Sequence, residues 1–188
     1  MSENQRVRLS KQLLRQSLME LLNSQSIHKI SVREICDLAQ VNRSTFYKYY
    51  GSQYDLFQEM EDEILNHVNH HLAIAPSALA GDLSQVTKLV AFVGENAALC
   101  KLLINHNVDP NFPDALINIP SLRRWIDTHF PPAYTKAEME YVYALVVNGG
   151  YTVIKMWINK EDREPPDVIA GILLRTIAKL FPAAGSLG

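Results

Sequence analysis

Apolar residues recur along this chain at helical spacing, and no stretch alternates convincingly enough to mark a strand. Leu14, Leu18, Leu21 and Leu22 stand at i, i+4, i+7 and i+8, which predicts a first helix from about Ser10 to Asn23 with one apolar face. Its other face carries basic side chains. Ser31 and Glu34 hold the spacing of a capping box, and Val32, Ile35, Cys36 and Ala39 form the stripe of a short second helix that stops near Gln40. Asn42 is a good N-cap for a third helix, from about Arg43 to Tyr50, whose Phe46 and Tyr50 point inward at i and i+4.

A fourth helix is well marked. Ser52 caps it with Asp55 in the first turn, and Leu56, Met60, Ile64, Val68 and Leu72 recur every four residues to about Ala73. A stretch rich in Pro, Gly, Ala and Ser from Ala75 to Gly81 ends it. Helical blocks follow near Asp82–Val93, Asn96–Asn105 and Asp114–Thr128, with Pro110, Pro113, Pro120, Pro131 and Pro132 at the joints. Thr135 and Glu138 form another capping box before a long apolar helix, and Pro165-Pro166 opens the last one. The class is all-α. The order reads as a helix-turn-helix head over residues 1–51 and a helical body over residues 52–188.

Length and composition fit that picture, since 188 residues with 47% hydrophobic and 20% charged side chains can bury a core but not build several domains. No apolar signal segment and no run of roughly 18 uncharged apolar residues is present, so a soluble, cytoplasmic protein without a membrane span is expected. Cys36 and Cys100 lie inside helical patterns and are expected as buried free thiols. Net charge is −2, but residues 1–53 hold eight Lys/Arg against four acids, +4, which leaves −6 on the remainder. A basic head on an acidic body suits a phosphate-binding module joined to a domain that does not bind nucleic acid.

The outward face of the third helix carries the matching chemistry. Arg43 can donate a bidentate pair to guanine O6 and N7, while Lys48, Tyr47 and the hydroxyls of Ser44 and Thr45 can bond phosphates or base edges. Two short helices joined by a tight turn after a longer one make a helix-turn-helix whose last helix enters a major groove. The plainer alternative is that Asn42 only caps, Tyr47 and Tyr49 only pack, and Arg43 and Lys48 are merely solvated.

At these positions the chain resembles the tetracycline-repressor (TetR) family. Ala39-Gln40-Val41-Asn42-Arg43-Ser44-Thr45-Phe46-Tyr47-Lys48-Tyr49-Tyr50-Gly51-Ser52 is similar to the family pattern A-G-V-S-x-x-T-[LF]-Y-x-[HY]-F-x-[SN], and Ser31-Val32-Arg33 to the start of its second helix. The resemblance covers about residues 10–57 and implies DNA contacts from Ser31, Arg33, Asn42, Arg43, Ser44, Thr45, Tyr47, Lys48, Tyr49 and Gln53. Two positions depart from the pattern. Gln40 stands where the family has a turn glycine, and Gln53 where it has a phosphate-binding lysine. The first predicts a slightly strained turn, the second a weaker hold on the backbone.

The resemblance further implies a ligand-responsive homodimer, a repressor of double-stranded operator DNA with no cofactor, paired through its last two helices. Val146, Gly150, Ile154, Trp157, Ile169, Ile172, Leu173, Thr176 and Leu180 are the candidate interface. Gly149 and Gly150 inside a helix each cost about 1 kcal/mol against Ala, which suggests close approach by another helix or a ligand. Candidates to line a pocket for a small organic ligand are His67, Phe92, Leu99, Leu103, His106, Trp125, Tyr143 and Tyr151, aromatic and apolar side chains with a few polar tips. An enzyme is not expected, since no phosphate loop, nucleophile elbow, H-E-x-x-H or CxxC pair is present. The best rival is metal binding by His67 and His71, at i and i+4 on one helix face, without a matching carboxylate or cysteine. A regulator answering to a protein partner stays open as well.

Overall fold

Residues 3–73, 79–105, 109, 111–129 and 134–180 are described by a computed structural model, and every regular element among them is helical. The head comprises α1 (Glu3–Leu22), a 3-10 turn (Ile27–Lys29), α2 (Val32–Ala39) and α3 (Arg43–Phe46). The body comprises α4 (Gln53–Ala73), α5 (Leu79–Glu95), α6 (Ala97–Asn105), α7 (Phe112–Ile117), α8 (Pro120–His129), α9 (Lys136–Ile158) and α10 (Pro166–Leu180). No helix among the described residues is long and apolar enough to cross a membrane.

Several boundaries differ from the pattern, each for a physical reason. α1 begins at Glu3 instead of near Ser10, because good helix formers such as Gln5, Arg6 and Arg8 extend it without adding an apolar period. The third helix ends at Phe46, after which Lys48 and Tyr49 N–H donate three residues back to the carbonyls of Thr45 and Phe46. That tighter winding still carries Tyr50 inward. The block expected over Asp114–Thr128 is two helices. Pro120 disfavours helical backbone in the residue before it and has no N–H to donate, so the chain breaks there and restarts with Pro120 as the first residue of α8.

The turn between α2 and α3 takes the expected strained form. Gln40 sits in the left-handed region at φ 53° and ψ 38°, and the Val41 N–H donates to the Cys36 carbonyl at 3.0 Å to close α2. Gln40→Gly should therefore raise stability by about 1 kcal/mol, read as a higher urea midpoint with unchanged slope. An unchanged midpoint would show that the Gln backbone is not strained.

A shared core ties head to body. Leu14 and Leu18 of α1, Ile35 of α2, Phe46 of α3, and Leu56 and Met60 of α4 are fully buried in one cluster that continues into α5, α6, α9 and α10. Each such side chain contributes about 1.5–3 kcal/mol. Across the rim of this cluster Lys11 donates to Glu59 at 2.9 Å and Arg15 pairs with Glu63, joining α1 to α4. Partly exposed pairs are worth at most about 1 kcal/mol, so they orient α1 more than they stabilise it. They also pair two cations of the basic head within the chain.

Candidate nucleic-acid interface and buried cavity

The outer face of α3 is built on Phe46. That ring is fully buried, in tilted contact with Tyr50 at 5.4 Å between centroids, and fixes the roll of the short helix. Rolled this way, α3 and its turn leave Asn42, Arg43, Ser44, Tyr47 and Lys48 exposed and Thr45 half-buried. Asn42 occupies the N-cap position, but its side chain makes no capping hydrogen bond. Tyr49 is half-buried beside Tyr50, with the Lys11 ammonium of α1 5.6 Å from its ring centre.

The flanking candidates are more committed. Ser31 caps α2 reciprocally, its hydroxyl donating to Glu34 at 2.6 Å while the Glu34 N–H donates to that hydroxyl at 3.2 Å. The Ser31 hydroxyl, together with the Ser31 N–H that donates to the same carboxylate oxygen at 2.8 Å, holds the Glu34 carboxyl below the usual carboxylate range. Arg33 is exposed and reaches Asp37 at 3.4 Å one turn along. Gln53 opens α4, next to the cap in which the Gly51 N–H donates to Asp55 at 2.8 Å.

The body holds a partly open apolar cavity of about 200 Å³ between α4, α5, α6, α7, α8, α9 and α10. Of the candidates chosen for a pocket, Trp125 and Tyr151 line it. The other described candidates are not on its wall. Leu99 and Leu103 are spent in the main core, and the Tyr143 hydroxyl donates to the Ile117 carbonyl while Arg123 covers its ring at 4.6 Å. His106 lies outside the described residues. Ile64, Val68, Val90 and Phe112, which an eye for aromatic residues with polar tips passes over, form much of the wall.

His67 and Phe92 stack on each other at 3.3 Å between ring centres, away from the cavity wall. His67 also stacks on His71 at 4.1 Å, and His71 Nδ1 lies 3.1 Å from the His67 carbonyl oxygen. Burial, followed by the charges of His71 and His70, lowers the His67 pKa. The two rings stack with one nitrogen engaged by backbone, and no group of three or more His, Cys, Asp or Glu among the described residues could hold a metal.

The expected interface splits between two faces. Trp157 and Ile169 are buried inside the subunit, and Val146, Gly150, Ile154 and Leu173 line the cavity. The Leu180 side chain lies outside the described residues. Only Ile172 and Thr176 of that set are exposed. The reason is phase, because α9 is apolar nearly all round and the stripe chosen from sequence is its inward one. The outward stripe is Tyr141, Leu145, Gly149 and Met156, with Leu145 60% and Met156 65% exposed. On α10, which packs against α9, Val168 and Ile172 are exposed as well. Gly149 stands open within this stripe, with nothing within 4 Å of where a Cβ would be.

Comparison with known proteins agrees with the all-helical head and body. Residues 15–60 match the family described as bacterial regulatory proteins, tetR family, and residues 83–179 match a transcriptional regulator C-terminal region. The chain is 24% identical over 173 residues to the uncharacterised HTH-type transcriptional regulator YxbF of Bacillus subtilis (strain 168), an alignment covering 84% of this chain and 42% of that protein. It thus spans less than half the length of this curated relative. A TetR transcriptional regulator from Streptococcus agalactiae 2603V shares the fold at TM-score 0.62 and 18% identity, over 93% of this chain and 97% of that one. The dihydroxyacetone kinase operon activator DhaS follows at TM-score 0.59 and 17% identity, over 92% and 96%. With a helix-turn-helix at its head and a regulator-type helical domain over half its length, the chain belongs to the TetR family of transcriptional regulators.

Proposed function

We propose that this regulator binds double-stranded operator DNA as a homodimer through residues 1–51, and that a small organic molecule entering the body, residues 52–188, releases it, so that it acts as a repressor. The observation that carries the DNA-binding part is the exposed set Arg43, Ser44, Tyr47 and Lys48 on a short helix locked from behind by buried Phe46. Arg43 reads bases and Lys48 mainly holds phosphate. The cavity and the outward apolar stripe support the ligand and the partner copy respectively. No covalent step is needed. A ligand that binds better to the arrangement with wrongly spaced recognition helices shifts the population off DNA.

Arg43→Ala should cost about 1–3 kcal/mol on operator and relax preference at one base pair per half-site. Lys48→Ala should weaken operator and random duplex alike and flatten the salt dependence by about one unit per site. Binding of both variants across a salt series, on an operator selected from random duplex, separates the two roles. If Arg43→Ala binds as tightly and selectively as the parent, α3 is not the reader.

A further inference from the structure

Resting on the reading of a ligand-controlled regulator, the cavity wall narrows the ligand to a chemical class. Every described side chain on the wall is aliphatic or aromatic, apart from the thiol of Cys100, and the polar atoms on the aromatic rings are the Tyr151 hydroxyl and the Trp125 indole nitrogen. No charged side chain is among them. An ionised group held within the cavity would lose its hydration with no counter-charge on the wall to replace it. The thiol supplies none, because burial pushes Cys100 up to about 12.

Size and one glycine sharpen this. A dry cavity of about 150 Å³ lined by Leu, Ile and Phe accepts benzene, so the 200 Å³ here has room for about eight to ten carbons. Gly150 stands on the wall with nothing within 4 Å of an added Cβ. A helix is weakened by glycine, and here no neighbour forbids a side chain. What the missing side chain leaves is volume inside the cavity. We propose that this cavity binds a neutral, hydrocarbon-like molecule of about eight to ten carbons, without an ionised group, of the kind represented by an alkylbenzene.

The test uses the whole chain with butylbenzene as the neutral probe and octanoate as a charged probe of comparable length. Trp125 on the wall reports occupancy by its emission, and Trp125→Phe identifies its signal against that of Trp157, which is packed on Gly94. Butylbenzene should change the emission saturably and raise Tm by a few degrees, whereas octanoate at equal free concentration should do neither. Gly150→Leu should keep the fold and weaken butylbenzene at least about tenfold, and Gly150→Ala, which favours the helix and fills less, should weaken it by a smaller factor. Octanoate binding as tightly as butylbenzene, no saturable butylbenzene binding, or binding indifferent to both glycine variants would overturn the assignment. DNA binding measured in parallel separates this from the parent reading. Butylbenzene that binds without weakening DNA binding leaves the ligand class standing and removes ligand control by this class. Octanoate that binds and releases DNA does the reverse.

Discussion

If two copies pair through α9 and α10 as proposed, Leu145→Glu and Ile172→Glu should each give folded monomers that no longer hold operator. Leu145 is 60% and Ile172 41% exposed in the single subunit, so a carboxylate at either place meets water and leaves the subunit core intact. In a two-fold dimer paired through α9 and α10 the same carboxylate is buried without a partner, and symmetry places it there twice. Burying an unpaired charge costs about 3–5 kcal/mol, so the two charges that each substitution introduces should weaken dimerisation by at least about ten-thousandfold. Operator binding should fall with it, because a monomer contacts one half-site. Sedimentation at micromolar concentration checks the first effect and circular dichroism the retained fold. A variant that stays dimeric places the interface elsewhere.

The contrast with Leu173 shows why placement matters. Leu173 stands beside Ile172 and was an equal interface candidate by sequence, yet it lines the cavity. Leu173→Glu should unfold the subunit instead of splitting a dimer. Both residues belong to an apolar helix, and only the neighbours decide which of them faces in.

The same distinction runs through the whole chain. Signals that act within one turn were legible. The capping boxes Ser31–Glu34 and Thr135–Glu138 are both formed, and Gln40 adopts the left-handed backbone that its place in the turn demands. The motif around Arg43 identified the family because its residue types serve a local task. Features that depend on helix phase against distant neighbours were not legible. The cavity is assembled from seven helices, and nothing within Ile64 or Val90 distinguishes lining a hole from filling a core. Lys11 and Arg15 read as part of a basic face until α4 brings Glu59 and Glu63 beside them. Glu61 is the sharpest case. On sequence it is one acid of the run Glu59-Met60-Glu61-Asp62-Glu63, and in the structure it is 2% exposed.

That burial gives the protein a pH dependence centred on one side chain. Glu61 sits on α4 beside buried Met60 and one turn from Phe57 and Ile64, and its Oε1 has no hydrogen-bond partner among the described residues. Loss of hydration, reinforced by the negative charges of Asp109 and Asp62, raises its carboxyl to about 7 from an ordinary value of 4.5. In the unfolded chain the group ionises near that ordinary value. Between about 4.5 and 7 the folded state therefore holds a proton that the unfolded state has released, and each step up in pH favours unfolding. The contribution is intact below about 4.5, declines through this window and is gone above about 7, a loss of roughly 3 kcal/mol. Glu61→Gln keeps the shape of the neutral acid and cannot ionise. The variant should match the parent near pH 4.5 and exceed it by roughly 3 kcal/mol at pH 8, while both share the pH response of every other group. Urea unfolding of the two proteins at pH 4.5, 6 and 8 measures the difference directly. A gap that stays constant across those three values would mean that Glu61 ionises as freely in the folded protein as in the unfolded chain.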